Sequence, residues 1–346
     1  MTLVDLFEQS VKQFPNNTFL LEKTDKVFEP TTYIEVKNKV YQLGAGLQAL
    51  GVKKGETMAL LSEGRNMWVI GELSMFYAGA INVPLSIKLE ESNDLLFRLK
   101  HADVQYVMVS KQQLKKIRLI KDQLPLLKTI IVFDKIDQYE EKEIYVGDVM
   151  ENGKQFLADH TLEEFLAVAN SIQNDDYATI TYTSGTTADP KGVILTHRNY
   201  TANVEQALTL VYIDQTWRTL IILPLDHCFA HVVGFYIMMS KGATAATVQV
   251  GRTPMETLKN IPLNIREVKP NFILSVPSLA KTFRKNIEQG IRAKGEKTVK
   301  LFNFALKTAQ KYYGDNNTES KGMRIFLKPL VALFDKILFS KVRENF

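Results

Sequence analysis

The sequence predicts an α/β protein, layered, with mostly parallel sheets flanked by helices, and three observations predict it. Short β-branched runs alternate with helix-length segments, from TMALLS at 57–62 to NFILSVP at 271–277. Such alternation implies right-handed crossovers and a mostly parallel sheet. The chain has 346 residues, 45% hydrophobic and 23% charged, which is enough for a large core and more than one subdomain. After Val276-Pro277 the strand signal stops and helix follows helix.

The first strands expected are TMALLS (57–62), INVPLS (81–86), VQYVMVS (104–110) and TIIVFD (129–134). Between the first two, EGRNMWVIGELSMFYAGA (63–80) has Trp68, Val69, Leu73 and Phe76 at helical spacing, with Gly79 as its stop. The polar stretch 139–165 reads as a connection holding short elements. Strands resume with DYATITYTS (176–184), TLIILP (219–224), ATAATVQ (243–249) and NFILSVP, with a helix over YTANVEQALTLV (200–211). The closing helices run through FRKNIEQGIRAK and LFNFALKTAQKYY to LKPLVALFDKILFSKVREN, broken by the loop 315–323.

Charge is uneven. Residues 281–346 hold 15 Lys/Arg against 6 Asp/Glu, whereas the first 280 hold 28 against 32. The basic end reads first as a solvated helical face, and second as a contact for acidic headgroups or phosphorylated ligands. No basic patch interleaved with aromatics points to nucleic acid. The N-terminal residues lack a signal-peptide pattern, and the longest apolar run (228–239) is too short to span a bilayer. A single cysteine, Cys228, offers no internal disulfide and suits a reducing compartment, so a cytoplasmic location is expected.

The stretch that carries chemistry is TYTSGTTADPKGV, residues 181–193. It follows a strand and precedes a helix expected from His197, and such loops are where open α/β sheets bind ligands. Its glycines let backbone N–H groups approach an anion, its hydroxyls donate to phosphate oxygens, and Lys191 adds a charge. A polyphosphate is the ligand this chemistry suits. A Walker A loop is not: Lys191 precedes Gly192 and Val193 follows, so no hydroxyl stands ready for Mg2+.

YTSGTTADPKGV resembles the signature phosphate loop of the acyl-adenylate-forming, or AMP-binding, superfamily. Flanking segments agree: residues 31–61, FYAGAINVPL (76–85), LPLDHCFAHVVGF (223–235) and KPNFILSVPSL (269–279) are similar to that family's segments. The long basic helical segment after Pro277 is similar to its long-chain fatty acyl-CoA synthetase branch. The resemblance implies a two-step reaction. A carboxylate attacks the α-phosphate of ATP to give acyl-AMP and pyrophosphate, and coenzyme A then displaces AMP. ATP, Mg2+ and coenzyme A, with a fatty acid, are the ligands implied, and the oligomeric state is left open.

By matching position, Thr183, Ser184, Gly185, Thr186, Thr187, Lys191 and Gly192 would hold the phosphates. His227 would stand beside the acid's carboxylate as the catalytic-site residue. His227, Phe229, Val233 and Gly234 would shape the acyl pocket. The resemblance also implies a first α/β subdomain over 1–175 and a second over 176–346, the latter carrying the phosphate loop and the basic helices. A contact with a membrane surface through those helices is a further expectation.

Other readings stay beside these. His227 and His231 are four apart, but Cys228 stands where a zinc motif wants Glu and no third ligand follows, so no metal site is expected. Ala188 replaces a glycine usual in the family loop. No segment matches the family's later Tyr-Gly-x-Thr-Glu or Thr-Gly-Asp stretches, or its C-terminal lid. The chain therefore reads as the N-terminal part of a longer enzyme, inactive alone. The alternatives are an enzyme adenylating aryl or amino acids, and a non-catalytic nucleotide- or lipid-binding paralogue.

Overall fold

The strands are assembled by alternation of buried side chains. In β3 (Thr57–Leu61), Met58 and Leu60 enter one apolar cluster while Ala59 and Leu61 enter another; in β5 (Tyr106–Val109) Tyr106 and Met108 part in the same way from Val107 and Val109. Successive side chains of a strand point to opposite faces, so this sheet is buried on both sides. The computed structural model describes residues 1–90, 94–183, 189–314 and 323–343.

The other members of that sheet are β4 (Ile81–Leu85), β6 (Thr129–Val132), β7 (Glu143–Tyr145), β8 (Tyr177–Thr183) and β9 (Lys191–Thr196). Its order is β7-β6-β5-β3-β4-β8-β9, all parallel except β9, which returns antiparallel to β8. A second sheet has the order β10-β11-β1-β2, built from β1 (Thr18–Thr24), β2 (Val27–Thr32), β10 (Arg218–Ile221) and β11 (Thr244–Thr247). The layered, mostly parallel architecture is therefore as expected. Strands from both sides of residue 175 share each sheet.

The helix Asn66–Tyr77 is buried from Trp68 to Tyr77 and apolar apart from Glu72 and Ser74 in that stretch. It ends at Gly79, as the spacing predicts: φ is +73°, and an added Cβ would lie 3.0 Å from Lys54 Cα.

Three expectations are corrected. The stretch 139–165, expected to hold short elements, holds the short β7 and the start of the helix Leu162–Asn170, but also a full-length helix, Val146–Asp159. Its polarity hides a narrow buried stripe of Val146, Val149 and Gly153 that packs on the helix Tyr33–Ala49. The two backbones approach so closely that a Cβ on Gly153 would lie 1.8 Å from the Gln42 carbonyl oxygen. Second, 271–277 is not a strand. It makes one parallel bridge to the second sheet, Phe272 to Thr219, and the Thr219 hydroxyl donates to the Phe272 carbonyl at 3.1 Å. Third, the phosphate segment leads from strand to strand, since Lys191–Thr196 pairs with β8 before the helix begins at His197. The β1–β2 hairpin has no counterpart in the sequence reading.

The chain divides into two compact units: Met1–Ile261 with Pro270–Leu274, and Pro262–Lys269 with Ser275–Phe346. The second contains the helices Pro277–Arg292, Glu296–Tyr313 and Met323–Phe334, in keeping with the helical ending expected. Pro277 opens the first of these, and Gly295 and Gly314, at φ +93° and +77°, bound the second. Phe304 meets Phe334 edge to face at 5.6 Å, and Ala305, Val331 and Phe334 are buried.

Candidate active site

The hairpin of β8 and β9 stands where the parallel strands end. Thr183 pairs with Lys191 and Tyr182 with Gly192, and both Thr183 and Lys191 are exposed. Ser184, Gly185, Thr186 and Thr187 lie outside the described residues, as does Ala188. Gly192 serves close packing: a Cβ there would sit 3.0 Å from Ile180 Cγ2 and 3.4 Å from the Tyr182 ring. The hairpin thus brings a cation opposite a hydroxyl at an open sheet edge, which suits an anionic ligand.

The base of the hairpin is firmly tied. Thr179, fully buried, has its Oγ1 2.8 Å from Tyr200 Oη. Tyr182 Oη donates to the Arg98 carbonyl at 3.2 Å and lies 2.8 Å from His101 Nδ1. Burial pushes the Tyr182 phenol up to about 12, with Arg98 opposing. Thr196 caps the helix His197–Leu210 in a reciprocal box with Asn199. His197 is 2% exposed, its Nδ1 accepts the Leu3 N–H at 3.3 Å, and burial lowers its pKa to about 4 against the pull of Asp176 and Asp5.

His227 opens the next helix. Its Nδ1 accepts the Phe229 N–H at 3.3 Å, so the ring itself caps the first turn, and His227, Cys228 and Phe229 are exposed together. Val233 is half-buried. Gly234 is buried and turns toward the second sheet, where a Cβ would meet Ile221 at 3.3 Å and Leu274 at 3.5 Å. The four residues expected in an acyl pocket therefore divide, with His227 and Phe229 at the open end and Gly234 packed against β10. Asp226, beside His227, has its carboxyl pKa raised by burial, with the charges of His227, Lys88 and His231 opposing.

Beneath this end lies a cluster that the sequence reading missed. Glu72 Oε2 accepts from His231 Nε2 at 2.7 Å and from Tyr236 Oη at 3.0 Å, while Oε1 accepts from Asn82 Nδ2 at 2.7 Å. All four residues are 0% exposed. Trp68 meets the His231 ring edge-on at 5.2 Å, and the Tyr200 ring lies 5.3 Å from it, so the helix after the hairpin packs on the helix behind His227. One signal pointed here: Glu72 is the only charge between Asn66 and Ile87. A lone carboxylate in an otherwise uncharged helix must be paired if buried. Among the described residues no three His, Cys, Asp or Glu side chains converge on a metal position.

The model of the AMP-binding enzyme family matches residues 7–324. The chain belongs to the AMP-binding enzyme family. Curated members similar to it include long chain acyl-CoA synthetase 3 of Arabidopsis thaliana, 28% identical over 99% of this chain and 50% of its own length. The long-chain-fatty-acid–CoA ligase ACSBG2 of Rattus norvegicus is 25% identical over 88% of the chain and 45% of its own length. This AMP-binding chain thus spans about half the length of those relatives. Among solved structures, the N-terminal domain of FACL13 from Mycobacterium tuberculosis has a TM-score of 0.68 at 21% identity, covering 82% of this chain and 65% of that one. The anthranilate CoA ligase AuaEII, in complex with anthranoyl-AMP, also has a TM-score of 0.68, at 23% identity, covering 79% of this chain and 49% of that one. At these identities the likeness is one of fold, and it agrees with the layered α/β architecture.

Proposed function

We propose that this chain supplies the phosphate hairpin and the acid-facing helix end of an ATP-dependent carboxylate–CoA ligase acting on fatty acids. The observation that carries the reading is the hairpin, in which Lys191 faces Thr183 at the edge where the parallel strands end. The family membership and the names of the long-chain relatives support it.

In this reading Lys191 Nζ and the Thr183 hydroxyl bind the β- and γ-phosphates of ATP and hold the departing pyrophosphate, with Ser184 to Thr187 completing the loop. Positive charge placed where negative charge gathers is the largest single contribution such a site makes. The carboxylate enters beside His227. With Nδ1 engaged by the Phe229 N–H, the His227 ring presents Nε2 as a donor to a carboxylate oxygen, which orients the other oxygen toward the α-phosphate. Phe229 and Val233 would border the acyl chain. The bond formed is carboxylate oxygen to α-phosphorus, and the bond broken is that between the α-phosphorus and the pyrophosphate oxygen. Coenzyme A would take the acyl group in the second step.

The test is acid-dependent exchange of labelled pyrophosphate into ATP, with fatty acids of graded length beside benzoate and anthranilate, together with direct ATP binding to the chain. ATP binding that is lost in Lys191→Ala, with long fatty acids the preferred acids wherever exchange occurs, supports the reading. ATP binding unchanged by Lys191→Ala overturns it, and a preference for the aryl acids replaces the fatty acid by an aromatic one.

A further inference from the structure

Residues Ala230–Tyr236 wind as a π-helix: the Ile237 N–H reaches back five residues to the Val232 carbonyl. Such windings are uncommon and need a cause. Here the cause is visible. In an α-helix, residues five apart point about 140° away from each other. His231 and Tyr236 are five apart, yet both donate to the same oxygen of Glu72. Only the wider winding brings both side chains to one carboxylate, and Asn82 on β4 holds that carboxylate by its other oxygen.

The far end of this helix is pinned. Tyr33 Oη, fully buried, lies 3.1, 3.2 and 2.9 Å from the carbonyl oxygens of Met238, Met239 and Ala243. A change of winding between 230 and 236 must therefore appear at the free end, where His227, Cys228 and Phe229 are exposed. Relaxing the π-turn to α-helical winding takes one residue out of it, rotating that end by about 100° and moving it about 1.5 Å along the axis.

We propose that Glu72 is a positioning residue: by binding His231 and Tyr236 together it holds the π-winding that sets which face His227 and Phe229 present. The effect on substrate rests on the reading of His227 given above, whereas the effect on the helix does not.

Cys228 is the sole cysteine and is exposed, so it carries a nitroxide label without competitors. A second label goes on Lys115→Cys, at an exposed position of the helix Lys111–Ile120. Dipolar EPR on the full chain then reads the distance between the two. Glu72→Gln keeps an oxygen able to accept both bonds and should keep the parent distance. Glu72→Leu should move the Cys228 label by roughly 5–8 Å, since the rotation acts at the outer radius of the helix. Tyr236→Phe, which keeps the ring and the packing, should broaden the distribution toward the Glu72→Leu value. Leu73→Ala, a core truncation on the same helix that leaves the carboxylate alone, controls for loss of stability and should leave the distance unchanged.

A parent-like distance in both Glu72→Leu and Tyr236→Phe overturns the proposal. So does an equal displacement in Leu73→Ala. If Glu72→Leu does not fold, the Tyr236→Phe distribution decides alone. Pyrophosphate exchange separates the two readings: a KM for the acid raised tenfold or more in Glu72→Leu, with the KM for ATP unchanged, supports both. A displaced label in a chain that neither binds ATP nor exchanges leaves the positioning intact and removes the ligase reading.

Discussion

His197 couples the root of the β8–β9 hairpin to the N-terminus of the chain, and acid should sever that link. In the folded chain its pKa is about 4, lowered chiefly by burial, against an ordinary value of 6.5. The unfolded chain therefore binds a proton between pH 6.5 and 4 that the folded chain refuses. Stability rises with pH wherever the unfolded state binds more protons, so this contribution is complete above pH 6.5 and is lost as pH falls toward 4. Near pH 4.5 the loss amounts to about 2.5 kcal/mol, at 1.36 kcal/mol for each tenfold change in proton affinity. Geometry points the same way, because the proton would go to Nδ1, which accepts the Leu3 N–H. The assay is urea unfolding of the parent chain and of His197→Gln from pH 7.5 to 4.5. Gln can accept the same N–H but does not titrate. The stability difference between the two chains should shift by about 2.5 kcal/mol in favour of the variant as pH falls. Parallel stability curves for the two chains across that range would refute the reasoning.

Gly153→Ala should destabilise the chain by about 3 kcal/mol, the upper end of the range for overpacking, because its Cβ would lie 1.8 Å from the Gln42 carbonyl oxygen; the urea midpoint measures it. Gly79→Ala should cost about 1–2 kcal/mol through its φ of +73°, read from the melting temperature. Thr179→Val should lose about 1 kcal/mol with the hydroxyl contact to Tyr200, again by urea unfolding. Lys191→Ala removes an exposed side chain, so the melting temperature should stay within a degree or so while ATP affinity, measured by calorimetry, falls tenfold or more.

Much of this fold is legible in the residues. The buried strands of the large sheet are short β-branched runs between helical spacings, and period alone separates the two. Gly79 and Pro277 mark a helix end and a helix start because their backbone chemistry permits little else there. The segment that carries Lys191 stands out by composition as a candidate anion-binding loop, although its hairpin form was not legible. Where the reading failed, the failure was local. The helix Val146–Asp159 was not expected at its full length, because its buried stripe is only Val146, Val149 and Gly153 in an otherwise polar segment.

The pattern of residues along the chain thus determined the α/β class, the family and the place of the Gly/Thr-rich segment that ends in Lys191, all of which depend on spacing between near neighbours. Tertiary structure alone decided that Lys191–Thr196 returns as an edge strand, and that Gly234 faces β10 rather than the open end. It alone decided that Glu72 meets His231 and Tyr236. Those residues lie 159 and 164 positions away, and their meeting depends on how two helices pack across the core. No periodicity encodes which buried donors will reach a buried carboxylate; only the packing that excludes water from all of them does.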